Sequence, residues 1–302
     1  MEGFLSTREA IDKYIAGCEA KAQMSDDRLF GKAILAGMMI GMGAAASSVA
    51  AHTITDVGLA RLAAAVVFPV GLMMVILLGA ELFTGDCLMA MGVSAGKYSV
   101  KDVIRVLTVV YFGNFVGASL LAVLIAMSGQ LDYSAGMLGA YTIKVAVGKA
   151  GISFDKAVVS GILCNILVCA AVLMALCAKD ITGKLMAVFF TIMLFVTAGF
   201  EHCVANMYYI TAGLLAKNNA AYVELAMQQY GYTEEQLATL NISNYLLGNL
   251  VPVTIGNILG GICLIGLPLY FLNRDKTEAK EKNKGGVEHD VVYRRGITSA
   301  GN

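Results

Sequence analysis

Six long apolar runs alternate with short polar stretches along the chain, near 31–51, 62–95, 103–128, 155–178, 185–215 and 244–272. A helix needs about 20 largely apolar residues to cross a bilayer, so the pattern predicts six membrane spans. The second and fifth runs are too long for one straight helix. Polar residues interrupt each near its middle, at Glu81 to Asp86 and at Glu201 to Asn206. Unpaired backbone in hydrocarbon is costly, so a helix breaks at depth only where protein or a cavity satisfies it. The two interruptions are therefore the candidate functional centre.

Ahead of the first run, residues 5–21 carry an amphipathic helical pattern with Ser6 or Thr7 placed to cap it. The chain divides into an N-terminal cytoplasmic helix (1–29), a six-span channel domain (30–273) and a charged cytoplasmic tail (274–302). Residues 216–243 read as an external loop with one or two helical turns. Lys97, Lys101 and Arg105 follow span two, and Lys179 and Lys184 separate spans four and five. Six spans place these on the side of both basic tails. Positive charge collects inside, which predicts an inner (cytoplasmic) membrane protein with both termini in the cytoplasm. Lys144, Lys149 and Lys156 make the connection between spans three and four a poorer fit.

Three short matches recur in order in the two halves. Lys32-Ala-Ile-Leu-Ala-Gly37 resembles Lys156-Ala-Val-Val-Ser-Gly161, and Gly79-Ala-Glu-Leu-Phe-Thr-Gly-Asp86 resembles Gly199-Phe-Glu-His-Cys-Val-Ala-Asn206. Gly113-Asn-Phe-Val-Gly117 resembles Gly256-Asn-Ile-Leu-Gly260. Each half holds three spans, an odd number, so the second enters the membrane from the opposite side. The prediction is an all-α membrane protein of two inverted three-helix repeats, about 30–128 and 154–272, with spans two and five broken. This is an aquaporin-like architecture that places a site at mid-depth.

Composition sharpens this. The chain is 58% hydrophobic and 15% charged, with zero formal charge. Without a concentrated basic face it is no nucleic-acid binder. The seven cysteines form no CxxC pair and read as small apolar packing residues. His202 is the one histidine inside a run, and no HExxH spacing exists, so no metal site, cofactor or enzyme is expected. Neither half carries the Asn-Pro-Ala of a water pore.

Within the interruptions, Glu81 and Glu201 occupy the same repeat position. They are expected to accept backbone N–H groups and hold the broken segments. His202 either donates to, or protonates, a passing anion, or is a buried neutral ring satisfied by backbone. Thr84 can hydrogen-bond the ring or the solute. Asn165 and Asn257 either line a path or tie helices together. Lys149 either draws anions to an external vestibule or is a solvated loop charge.

At Glu-Leu-Phe-Thr-Gly (81–85), the two Gly-Asn-x-x-Gly segments, Cys-Asn-Ile-Leu-Val-Cys (164–169) and Phe-Glu-His-x-x-Ala-Asn-Met (200–207), the sequence resembles the formate–nitrite transporter family. Within it, the chain is most similar to the hydrosulfide channel branch. The resemblance implies a homopentamer whose protomers each enclose a pore. It implies that Thr84 and His202 meet at the centre, and that Phe68, Leu72, Leu82, Phe83, Val168 and Phe195 form two apolar constrictions. Lys149, Asn165 and Asn257 match polar positions along the path. Cys203 stands where relatives often have serine, and Asp86 follows the Thr-Gly of the first break. The expected solute is a small monovalent weak-acid anion, hydrosulfide first, with proton-linked formate or nitrite passage as the alternative. The solute crosses either as the neutral acid or with protein donors replacing its water.

Overall fold

The structure is a computed structural model that describes residues 3–274. All but the first residue of the expected charged tail therefore lies outside the described residues. α1 (Thr7–Ala22) starts at Ser6, whose hydroxyl accepts the Glu9 N–H while the Glu9 carboxylate accepts the Ser6 N–H. This reciprocal cap fixes where the helix begins. One face of α1, built on Ala10, Ile11, Tyr14, Ile15 and Cys18, is buried. The Leu5 N–H donates to the Cys177 carbonyl at 2.8 Å, which pins α1 beneath the end of the fourth span.

The chain continues through α2 (Asp26–Ala51), α3 (Val57–Leu78), α4 (Phe83–Asp86), α5 (Ala90–Ser94), α6 (Val100–Met127) and α7 (Met137–Ala150). It then forms α8 (Phe154–Cys177), α9 (Ile181–Ala198), α10 (Cys203–Ala216), α11 (Ala220–Tyr230), α12 (Glu234–Ala238) and α13 (Asn244–Leu272). Six of these, α2, α3, α6, α8, α9 and α13, are long and apolar enough to cross a membrane. The six expected spans correspond to them.

Two connections are more ordered than expected. The stretch between spans three and four is the 14-residue α7, which packs against α10. Lys149 consequently lies in the last turn of a helix and not in a loop. Residues 216–243 hold the 11-residue α11 and the five-residue α12. Both stretches are too short or too polar to read as spans, but each buries an apolar edge, Tyr222 and Ala226 in α11 and Leu237 in α12.

The closest helix pairs are α2 with α6 and α8 with α13. In each pair glycine lets backbones touch, the usual device of helices that have no water to drive them together. A Cβ on Gly117 would overlap the Ile34 carbonyl, and one on Gly260 would overlap the Ile162 carbonyl. These contacts match Ile34 to Ile162, one helical turn out of step with the Lys32/Lys156 alignment of the sequences. Packing and not the lysines sets the correspondence.

Both interrupted runs stop and restart in the same way. α3 closes on Gly79 (φ 66) and α9 on Gly199 (φ 76), in the left-handed region that glycine enters freely. The chain then extends through Leu82 (φ −118, ψ 121) and His202 (φ −112, ψ 116) before helix resumes at Phe83 and Cys203.

Candidate functional site

A helix that restarts among apolar neighbours leaves its first N–H groups without partners. Two asparagines answer this. Asn114 accepts the Phe83 N–H on Oδ1 at 3.0 Å and donates from Nδ2 to the carbonyls of Ala33 and Glu81. Asn257 accepts the Cys203 N–H at 3.0 Å and donates to the carbonyls of Gly161 and Glu201. Both are fully buried. Asn257 thus ties a restarting helix to its neighbours. Asn114, its counterpart, carries the same load, although only its place in the Gly-Asn-x-x-Gly match marked it.

The carboxylates do something other than hold backbone N–H groups. Glu201 pairs with Lys149 at 2.9 Å and accepts the Asn206 amide at 2.6 Å. Glu81 lies 2.5 Å from Lys21 and 3.6 Å from Lys32. Lys21 also reaches Asp86 at 2.5 Å, so the last turn of α1 is bonded to the first break. Burial by itself would lower the Lys21 pKa, but the Asp86 and Glu81 carboxylates outweigh it and hold the ammonium above the ordinary lysine range. Tyr14, also on α1, donates to the Gly85 carbonyl at 2.9 Å.

Thr84 and His202 come together across the two breaks, with Thr84 Oγ1 3.0 Å from His202 Nε2. His202 caps α10: its Nδ1 accepts the Ala205 N–H at 3.2 Å. A ring nitrogen that accepts carries no proton, so in the neutral ring the proton sits on Nε2 and is donated to Thr84. The Thr84 hydroxyl proton then remains free to turn to a solute. The Thr84 carbonyl is fixed in turn by the Asn165 amide at 3.2 Å and the Cys169 thiol at 3.4 Å. Asn165 also donates to the Asn257 carbonyl at 2.6 Å. It therefore links the first break to Asn257, the residue that holds the Cys203 N–H at the second.

Two cavities approach this pair. One, of 510 Å³, is lined by Arg61, Phe68, Lys144, Lys149, Phe195 and His202 among others. The other, of 270 Å³, is lined by Lys21, Lys32, Leu72, Leu82, Asp86 and Lys184 among others. Along α3 the first cavity touches residues up to Phe68 and the second begins at Leu72, one turn further on. Along α9 the order is reversed, with Lys184 in the second cavity and Phe195 in the first. The cavities thus lie at opposite ends of two antiparallel helices.

The expected apolar residues are all buried, and four of them divide between the cavities. The Phe68 and Phe195 rings meet edge-on at 5.5 Å, with Phe195 6.1 Å from the His202 ring. Leu72 and Leu82 face the other cavity. Phe83 and Val168 line neither of the two. The Phe83 ring instead packs edge-on against Tyr111 at 5.0 Å.

Residues 8–271, which include Thr84, His202 and the side chains that hold them, match the sequence profile described as formate/nitrite transporter. The chain belongs to the formate/nitrite transporter family. The formate channel FocA of Haemophilus influenzae is 38% identical over 217 residues, 72% of this chain and 76% of its own length. A solved pentameric formate channel with formate bound superposes with a TM-score of 0.72 at 34% identity, covering 82% of this chain and 97% of that one. A solved ion channel of the same family superposes with a TM-score of 0.73 at 26% identity, covering 88% and 100%. Within the formate/nitrite transporter fold, then, the structure joins Thr84 to His202. Sequence reasoning missed the Lys21 link to Asp86 and Glu81, and the Asn206 and Asn249 amides around Glu201.

Proposed function

We propose that each protomer conducts small monovalent weak-acid anions between the two cavities, with formate first among them, past the contact of Thr84 and His202. The observation that carries this reading is the placement of that polar contact. Phe195, which meets Phe68 edge-on, is 6.1 Å from the His202 ring, and Leu82, two residues before Thr84, lines the other cavity with Leu72; both support apolar constrictions on either side of the contact. A bare anion loses its water in such rings at high cost. The Thr84 hydroxyl at the centre is a donor that replaces part of that water. Cationic mouths supply the long-range attraction, with Arg61, Lys144 and Lys149 at one end and Lys21, Lys32 and Lys184 at the other. Doubly charged sulfate and phosphate bear a larger dehydration cost and are rejected.

Formate takes precedence over hydrosulfide because relatives and a solved neighbour are named for formate. The two halves form inverted repeats with spans two and five broken. The antiparallel α3 and α9, the paired Gly79 and Gly199 caps and the paired Asn114 and Asn257 contacts support this. The assembly is a homopentamer, consistent with the pentameric state of the solved formate channel and with an α9 whose most apolar window is only 22% buried. The protein sits in the inner membrane with both termini cytoplasmic. The contacts of Arg105 with Asp26 and of Lys97 with Glu19 gather basic residues at the α1 end. The test is flux into proteoliposomes of formate, nitrite, hydrosulfide and chloride across pH. Saturable formate passage is expected, and sulfate added as a fifth anion is expected to be excluded. Indifference to every one of these anions would end the reading.

A further inference from the structure

Two carboxylates share one buried ammonium at the α1 end of the pore. Lys21 Nζ is 2.5 Å from both Glu81 Oε2 and Asp86 Oδ1. Their second oxygens differ. Glu81 Oε1 faces Lys32 at 3.6 Å, whereas Asp86 Oδ2 is buried without a hydrogen-bond partner. Carboxylates forced into one site repel, which favours a proton on the oxygen that the two ammonium groups do not reach. The oxygen with no cation and no donor against it is where that proton is best held. Asp86 is 3% exposed and lines the 270 Å³ cavity beside Leu72 and Leu82. It follows Thr84 by two residues in α4.

We propose, resting on the channel reading above, that Asp86 is the proton donor that neutralises an anion at the α1-side mouth and reclaims the proton from acid leaving that way. In the step, the O–H bond at Asp86 Oδ2 breaks as the O–H bond of the weak acid forms. Asp86 becomes a carboxylate and is reprotonated from solvent in the cavity. With Asp86 protonated, Lys21 and Lys32 outnumber Glu81 and attract the anion. After transfer the four charges balance and the neutral acid is not held. Lys21 stays an ammonium throughout because Glu81 remains beside it. Lys184 of α9 adds attraction from the opposite wall. Tyr14 of α1 is engaged with the Gly85 carbonyl, and the thiol of Cys169 in α8 with the Thr84 carbonyl. Neither competes for the proton. His202 is not suited to the task, since its Nδ1 is occupied by the Ala205 N–H and its Nε2 by Thr84.

The experiment uses the full chain in proteoliposomes loaded with a pH-sensitive dye, given radiolabelled formate under a valinomycin-set potassium potential. The wild type should carry one proton per formate with little response to the potential. D86N should slow uptake about a hundredfold, and its residual flux should follow the potential without protons. K21Q removes the ion pair but keeps the carboxyl, so it should retain the coupling. Normal proton coupling in D86N, or a K21Q that loses coupling as D86N does, overturns the proposal. Should D86N fail to fold, D86E decides: coupling at a shifted pH midpoint supports the assignment, and an unmoved midpoint refutes it. Wild-type formate flux without protons would refute this inference alone, whereas no formate flux at all would refute the channel reading beneath it.

Discussion

Asn114 and Asn257 stand in different helices and do one job, each giving its amide oxygen at 3.0 Å to the first N–H of a helix that restarts among buried residues. Removing either amide strands that N–H and two carbonyls in surroundings without water. Asn114→Ala and Asn257→Ala should each cost about 1–3 kcal/mol or more, seen as a drop in melting temperature in detergent. The two drops should be similar. A large loss for one and none for the other would show that the two breaks are not built alike.

The centre itself separates two roles. Thr84→Val keeps shape and removes the hydroxyl, so flux should fall about ten- to a hundredfold (roughly 1.4 kcal/mol per factor of ten) while the protein stays folded. His202→Asn retains an oxygen for the Ala205 N–H but is too short to reach Thr84. Its flux should fall while the pH of half-maximal flux stays put. A displaced midpoint would return the proton to the imidazole.

Lys149 and Glu201 are both largely buried, with side chains 16% and 9% exposed. Lys149→Met leaves a carboxylate with only amide partners, and should destabilise by about 3 kcal/mol. Adding Glu201→Gln should recover part of that loss, because the stranded charge is gone. A double-mutant cycle measured by thermal unfolding checks this, and strict additivity would mean the pair is uncoupled.

The α8–α13 contact should resist any side chain at position 260. Gly260→Val must push the Ile162 backbone away, at an expected cost of about 1–3 kcal/mol or more. The protein should unfold at a lower temperature in detergent, and Gly117→Val should behave likewise against Ile34. An unchanged profile would mean the helices tolerate separation.

The spans were legible because six windows are strongly apolar and hold at most two charged residues, and the two polar interruptions because Glu81 and Glu201 are expensive in hydrocarbon. α7 was not legible: 14 residues cannot cross a bilayer, and Lys144 and Lys149 read as loop charges until their helix was seen to pack on α10. The bond between Lys21 and Asp86 joins groups 65 residues apart, a separation no local pattern encodes. Asn257 showed its type but not its job, since an amide in an apolar run lines a channel or ties helices with equal ease. The same limit explains the misaligned Lys32 and Lys156. Letters were matched there, whereas the helices are in register by where their backbones meet.

The grip of Ala205 on His202 has a kinetic corollary. With the imidazole immobilised by main chain, the threonine O–H is the group of the pair left to turn about a single bond, and on the channel reading proposed above it is the one that follows a passing solute. Handing a solute across that point then requires no helix to shift.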